Sequence, residues 1–233
     1  GFANADGAGI EGLELKLENE LRGPARQTPA IFDRRGSVVF SQQLLDQRAA
    51  QGNDVTLTID KTIQHIADRE LELAVQTYEA RAGSLVALDP NTGEILAISN
   101  YPTFNPNEPT RTPVASRRNR AVTDRFEPGS TMKPFTMAGA LAAGAVGTTK
   151  AIDCENGVWR VGPDTIRDSH RMQLLTPSEI IVRSSNIGIA KIGIELGRAG
   201  LHRTLTRFGF GEPTGLGLSG ETSGVLRHYK SWY

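Results

Sequence analysis

The chain has 233 residues, 38% of them hydrophobic and 22% charged, enough to bury a core in one or two domains and ordinary for a soluble globular protein. Lysine plus arginine and aspartate plus glutamate both number 26, so the net charge is zero, which argues against a nucleic-acid binder with its basic excess or stripe. One cysteine, Cys154, excludes an internal disulfide and a thiolate metal cluster; no apolar run reaches the length of a membrane span, and no signal-peptide pattern is present.

Residues 1–55 are polar and dotted with glycine. A short helical pattern runs through Leu13, Leu15, Leu17 and Leu21, and "IFDRRGSVVF" reads as two extended pieces around Arg35-Gly36. From Asp54 the signals sharpen. "VTLTID" alternates like a strand and ends on Asp60, a good helix N-cap. The next twenty residues place Ile63, Ile66, Ala67, Leu71, Ala74, Val75 and Tyr78 on one helical face. "GSLVALDP" and "EILAISN" are two short β runs joined by Asn91-Thr92-Gly93, a hairpin signal. Helix followed by hairpin predicts a helix packed on an antiparallel sheet. Four prolines between Tyr101 and Pro113 predict a loop. "TMAGALAAGAV" predicts a helix ending at Gly147, and a second long helix is predicted from about Pro177 through Leu196, stopped by Gly197. The stretch from Phe208 to Leu226 is a glycine-rich run of turns.

The decapeptide "EPGSTMKPFT" (127–136) carries chemistry of two possible kinds. Ser130 and Lys133 are three residues apart, so they share a face if a helix starts near Ser130; Pro134 is tolerated only near such a start. Ser130 or Thr131 can simply cap the helix. Alternatively, Ser130 is a nucleophile activated by Lys133. A serine hydroxyl needs a neighbouring base. A lysine amine serves only when neutral, which desolvation favours against its reference pKa of about 10.4. The serine's own N–H, at the positive end of the helix, can help hold an oxyanion. The spacing alone arises easily by chance. A second motif adds weight: "IIVRSSNIGIAKIG" sets Ser184, Ser185 and Asn186 in an otherwise apolar run. Such polar residues can face solvent or satisfy one another. Equally, a hydroxyl at 184 can relay a proton, and an amide at 186 can bind a substrate carbonyl. His65, His170, His202 and His228 lack ligand spacing, so no metal or cofactor is expected. Arg117, Arg118 and Arg120 read as solvated or salt-bridged, and Cys154 as a buried small residue.

Ser-x-x-Lys followed by Ser-x-Asn belongs to the motif set of penicillin-binding proteins and class A β-lactamases. Together with "GSLVALDPNTGEILAISNYPTFNPN", "RNRAVTDRFEPGSTMKPF" and "FGFGEPTGLGLSGE", in that order, it makes residues 54–226 resemble the transpeptidase domain of class B penicillin-binding proteins. Phe126-Glu127 ahead of the serine looks like the division-specific branch. The resemblance implies an α+β fold of the penicillin-binding/serine β-lactamase-like transpeptidase type, with helices packed on an antiparallel sheet. It also implies two segments: residues 1–55 as the end of an N-terminal pedestal or linker module, and 56–233 as the N-terminal part of the transpeptidase domain.

The implied activity is D,D-transpeptidation that cross-links septal peptidoglycan. Ser130 would attack the penultimate D-alanine of a stem peptide, Lys133 would accept its proton, Ser184 would pass a proton to the leaving amine, and Asn186 would hold the donor. A β-lactam would acylate Ser130. Implied partners are peptidoglycan stem peptides or a lipid-linked precursor polymer, β-lactam antibiotics and division-complex membrane proteins, with no nucleic acid. The implied location is the periplasmic side of the inner membrane, with the anchor absent from this chain. The family's third element, Lys-Thr/Ser-Gly, is missing, and Lys230-Ser231-Trp232 is only a near match. The expectation is therefore a C-terminally incomplete chain, lacking that strand and the following elements, with weak or no activity by itself. A serine β-lactamase and a non-catalytic penicillin sensor or division scaffold are the competing readings.

Overall fold

The structure, a computed structural model, describes residues 1–4, 6–22, 30–35, 38–41 and 52–232. The chain forms two compact units, Gly1–Asp124 with Gly215–Thr222, and Arg125–Thr214 with Ser223–Tyr233.

The first unit opens with strands β1 (Phe2–Ala3) and β2 (Gly9–Glu11), the short helices α1 (Gly12–Lys16) and α2 (Glu18–Leu21), and a hairpin of β3 (Ala30–Phe32) and β4 (Val38–Ser41). That hairpin matches the two extended pieces expected around Arg35; residues 36–37 lie outside the described residues. Residues 55–60 are not a strand. One backbone bond, Asp60 N–H to Leu96 O at 2.9 Å, reaches the neighbouring strand, and the Thr58 hydroxyl takes the Ile95 carbonyl at 2.6 Å. A side chain thus occupies an acceptor that a ladder would have used.

Asp60 does cap helix α3 (Lys61–Thr77), its carboxylate accepting from Thr62 and Ile63 N–H at 2.8 Å each. The buried stripe of α3 is narrower than its apolar face: Ala67, Leu71 and Val75 are buried, whereas Ile63, Ile66 and Tyr78 are exposed. Gln64 extends the stripe with hydrogen bonds in both directions to Ile98 and one to Ser99. These tie α3 to β6 (Ile95–Tyr101), which pairs antiparallel with β5 (Gly83–Leu88), as the Asn91-Thr92-Gly93 signal predicted. Gly83 lets β5 sit close to α3: a Cβ there would lie 2.8 Å from Leu71 Cδ1 and 2.9 Å from Val75 Cγ2, so those side chains would have to shift. Short helices α4 (Val114–Arg117) and α5 (Arg120–Thr123) follow the proline-rich loop, and Arg118 and Arg120 both pair with Asp124.

The second unit holds a 3₁₀ turn (Gly129–Met132) running into α6 (Lys133–Ala142), then β7 (Ile152–Asp153), a hairpin of β8 (Val158–Val161) and β9 (Asp164–Arg167), β10 (Leu174–Leu175), and helices α7 (Pro177–Val182), α8 (Asn186–Leu196) and α9 (Arg198–Arg207). Its core is Met137, Ala140, Val146, Cys154, Met172, Leu175, Ile180, Ile187 and Ile192. Here α6 packs on α8 and α9. Gly139 allows the closest approach, since a Cβ would lie 2.3 Å from Thr204 Oγ1.

Two helix boundaries differ from the sequence reading. α6 stops at Ala142, before Gly147, because Gly144 turns left-handed (φ 66°). Its N–H bonds Leu141 O at 3.1 Å and that of Ala145 bonds Ala140 O at 2.9 Å, the pairing of a Schellman stop. The single helix expected over 177–196 is two helices, broken at Ser184-Ser185 for the same reason. Gly197 does end α8, but Arg198 at once begins α9.

Candidate active site

Ser130 sits exposed in the 3₁₀ turn, and Lys133 is the first residue of α6. In a 3₁₀ turn side chains three apart eclipse, so the turn sets the two on one face. The capping alternative fails here: α6 has no side-chain cap, and the Thr131 hydroxyl donates to Pro128 O at 2.7 Å. Among the described residues the Ser130 hydroxyl meets no hydrogen-bond partner.

The break between α7 and α8 forms the facing wall. Thr176 opens α7 with a capping box: its hydroxyl accepts from Glu179 N–H, and the Glu179 carboxylate accepts from Thr176 N–H at 2.8 Å. The helix then closes on Ser184, whose φ of 55° is left-handed, a state that costs a non-glycine residue about 1–2 kcal/mol. Ser184 N–H bonds Ile181 O at 3.1 Å and Ser185 N–H bonds Ile180 O at 3.0 Å. That is a Schellman stop with serine in the position where glycine is usual. Ser185 then caps α8, accepting from Gly188 N–H at 2.9 Å. Reversal and restart within three residues turn both the carbonyl and the hydroxyl of Ser184 towards Lys133.

Lys133 is only 8% exposed. Its Nζ donates to Ser184 O at 2.5 Å, Ser184 Oγ at 2.9 Å and Asn186 Oδ1 at 2.7 Å. Three acceptors match the three protons of an ammonium. Burial nevertheless pushes the amine below the ordinary lysine pKa, against an opposing pull from the Asp168 carboxylate. The structure therefore brings Lys133, Ser184 and Asn186 into direct contact, with Ser130 one turn ahead of the lysine.

Asp168, which the sequence reading did not single out, organises this wall. Its Oδ2 accepts from the Ser185 hydroxyl at 2.8 Å, and its Oδ1 from the N–H groups of Asn186 at 2.5 Å and Ile187 at 3.1 Å. A carboxylate at the positive end of an eleven-residue helix is favourably placed. One residue earlier, Arg167 O accepts from Asn186 Nδ2 at 2.8 Å, which turns Oδ1 of the amide towards Lys133. Cys154 lies beneath, fully buried, with its sulfur 3.5 Å from Ser185 Oγ. The only trace of Asp168 in the sequence is an acid after a β-like "DTIR"; no spacing links it to residue 186.

Comparison with known proteins gives the family. Residues 83–233 match the family described as penicillin binding protein transpeptidase domain. The match spans more than half of the chain, and the protein belongs to that family. The whole chain is 40% identical to a protein named probable peptidoglycan D,D-transpeptidase PenA of Neisseria gonorrhoeae, of which it covers 40%. It is 38% identical to peptidoglycan D,D-transpeptidase FtsI of Escherichia coli, of which it covers 39%. Among solved structures, the apo transpeptidase domain of penicillin-binding protein 3 from Burkholderia pseudomallei superposes with a TM-score of 0.67 at 35% identity, over 76% of this chain and 49% of that one. A Burkholderia ambifaria structure described as a peptidoglycan glycosyltransferase gives 0.68 at 37% identity, over 76% and 52%. The fold is thus the α+β transpeptidase fold expected from the sequence, and the chain spans about two fifths of the length of these curated relatives.

Proposed function

We propose that the protein of which this chain is part is a serine D,D-transpeptidase that cross-links peptidoglycan stem peptides. The observation that carries the reading is the buried amine of Lys133, held by Ser184 and Asn186 and one turn from the exposed hydroxyl of Ser130. Two of its three partners, Ser184 O and Asn186 Oδ1, can only accept. A neutral amine has two N–H groups, and these two acceptors take both. Its lone pair is then left for a hydroxyl. The third partner, Ser184 Oγ, accepts the third proton of the ammonium, and this is the contact that the neutral amine gives up.

In the proposed cycle the oxygen of Ser130 bonds the carbonyl carbon of the penultimate D-alanine, and its proton passes to Lys133. The carbon–nitrogen bond then breaks, and the proton travels through Ser184 to the departing D-alanine amine. An acyl ester remains on Ser130. The amine of a second stem peptide attacks that ester, restores the serine hydroxyl and completes the cross-link. The Ser130 N–H, which meets no acceptor among the described residues, is available to the oxyanion. β-Lactams would enter the same first step. In keeping with the FtsI relatives, we assign the protein to septal wall synthesis on the periplasmic side of the inner membrane, beside division-complex membrane proteins. Residues 1–55 are assigned to a pedestal module and 56–233 to the transpeptidase domain. None of the described helices is long and apolar enough to cross a membrane.

The test uses the full-length protein and a pentapeptide ending in D-Ala-D-Ala. Release of D-alanine, measured by a coupled assay, is expected and should fall by about 10⁴-fold or more in Ser130→Ala, the scale for loss of a nucleophile. No release, or release unaffected by that substitution, would overturn the reading.

A further inference from the structure

The hairpin that delivers Asp168 and the Arg167 carbonyl to Asn186 carries a feature the proposed chemistry does not use. Trp159 and Ile166 face one another on its inner side and pack against the core. On the other side Val158 pairs with Arg167 and Arg160 with Thr165, so this row displays two arginines and no acid. Arg160 and Arg167 are diagonal cross-strand neighbours, a relation that spaces side chains by about 7–8 Å. Both are exposed, and among the described residues neither has a carboxylate partner, although the chain as a whole carries equal numbers of acids and bases. Like charges placed this close repel, so the pair gains most when an anion sits between them. The peptide oxygen of Arg167 is itself bound by Asn186 at 2.8 Å, which fixes the base of this arginine beside the residue assigned to the donor peptide.

We infer that Arg160 and Arg167 form a carboxylate subsite for the donor stem peptide, reading acidic side groups that lie away from the scissile bond. The inference rests on the transpeptidase reading above. It makes the hairpin a specificity element, with affinity set by charge and geometry instead of by the reacting atoms.

The test compares two pentapeptides that end identically in D-Ala-D-Ala with a free C-terminus. One carries free side carboxylates, and the other has them converted to carboxamides. With the full-length protein, kcat/KM for D-alanine release should favour the acidic peptide about tenfold. The preference should vanish in the double variant Arg160→Gln/Arg167→Gln and return in Arg160→Lys/Arg167→Lys. It should also shrink in the unsubstituted protein at 1 M salt, where charges more than about 3 Å apart are screened, a readout independent of how the variants fold. Equal use of the two peptides by the unsubstituted protein, or an undiminished preference in the double glutamine variant, would overturn the inference. Failure of both peptides would fall instead on the transpeptidase reading, which acylation of Ser130 by benzylpenicillin tests separately.

Discussion

Replacing Lys133 with methionine is expected to slow acylation of Ser130 by benzylpenicillin by about 10³-fold or more, while leaving the protein folded. Methionine retains most of the buried stem and removes the base, whose contribution is typically 10²–10⁴ and larger where nucleophile and base act as a unit. The same amine sets the pH dependence. Its burial lowers the folded-state pKa below the reference of about 10.4, and only the neutral form can take a proton from Ser130. The acylation rate should therefore rise with pH on a limb whose midpoint lies below 10.4. Stability follows the same sign. Between the depressed folded value and the unfolded one the unfolded chain binds more protons, so stability rises with pH across that window, and below it the protonated amine carries its full burial penalty. A flat profile, or a limb that persists in Lys133→Met, would remove the amine from its assigned role.

The second large effect is structural. Asp168→Ala should destabilise the fold by about 2–3 kcal/mol, the scale for hydrogen bonds to a charged group, or about 5–10 °C in Tm for a domain of this size. The change deprives the buried Ser185 hydroxyl and the first N–H groups of α8 of their shared acceptor. Asp168→Asn separates shape from charge. It keeps an acceptor for α8 but removes the carboxylate that pulls the lysine pKa upward. Its acylation profile should accordingly shift to lower pH, with a smaller loss of Tm. A shift in the opposite direction would contradict the electrostatic coupling between Asp168 and Lys133.

Much of this was legible before the structure because it is written in local patterns. Asp60 ahead of an apolar stripe, Asn91-Thr92-Gly93 between two β runs, and Pro134 just inside a helix each name their own element. What escaped depends on partners distant in the sequence. "VTLTID" alternates as a strand should, yet Thr58 spends its side chain on the acceptor a ladder needs. The apolar face read from Ile63 to Tyr78 is wider than the stripe α3 buries, because Gln64 bonds back to β6 and takes part of that stripe. The helix break at Ser184 is invisible to periodicity, since serine is seldom the residue that turns left-handed. Ser130, Lys133, Ser184 and Asn186 were singled out from their motifs and the family resemblance, and the fold brings the last three into contact. Asp168 lies sixteen residues before Ser184 with no spacing rule to tie it there, and only the folded β8–β9 hairpin carries it to the start of α8.

The most direct test of the account is peptide mapping by mass spectrometry after the full-length protein reacts with benzylpenicillin. The account predicts one stable acyl adduct, on the peptide bearing Ser130, absent in Ser130→Ala and formed far more slowly in Lys133→Met. An adduct mapped to any other residue, or one that persists when the Ser130 hydroxyl is removed, would contradict it.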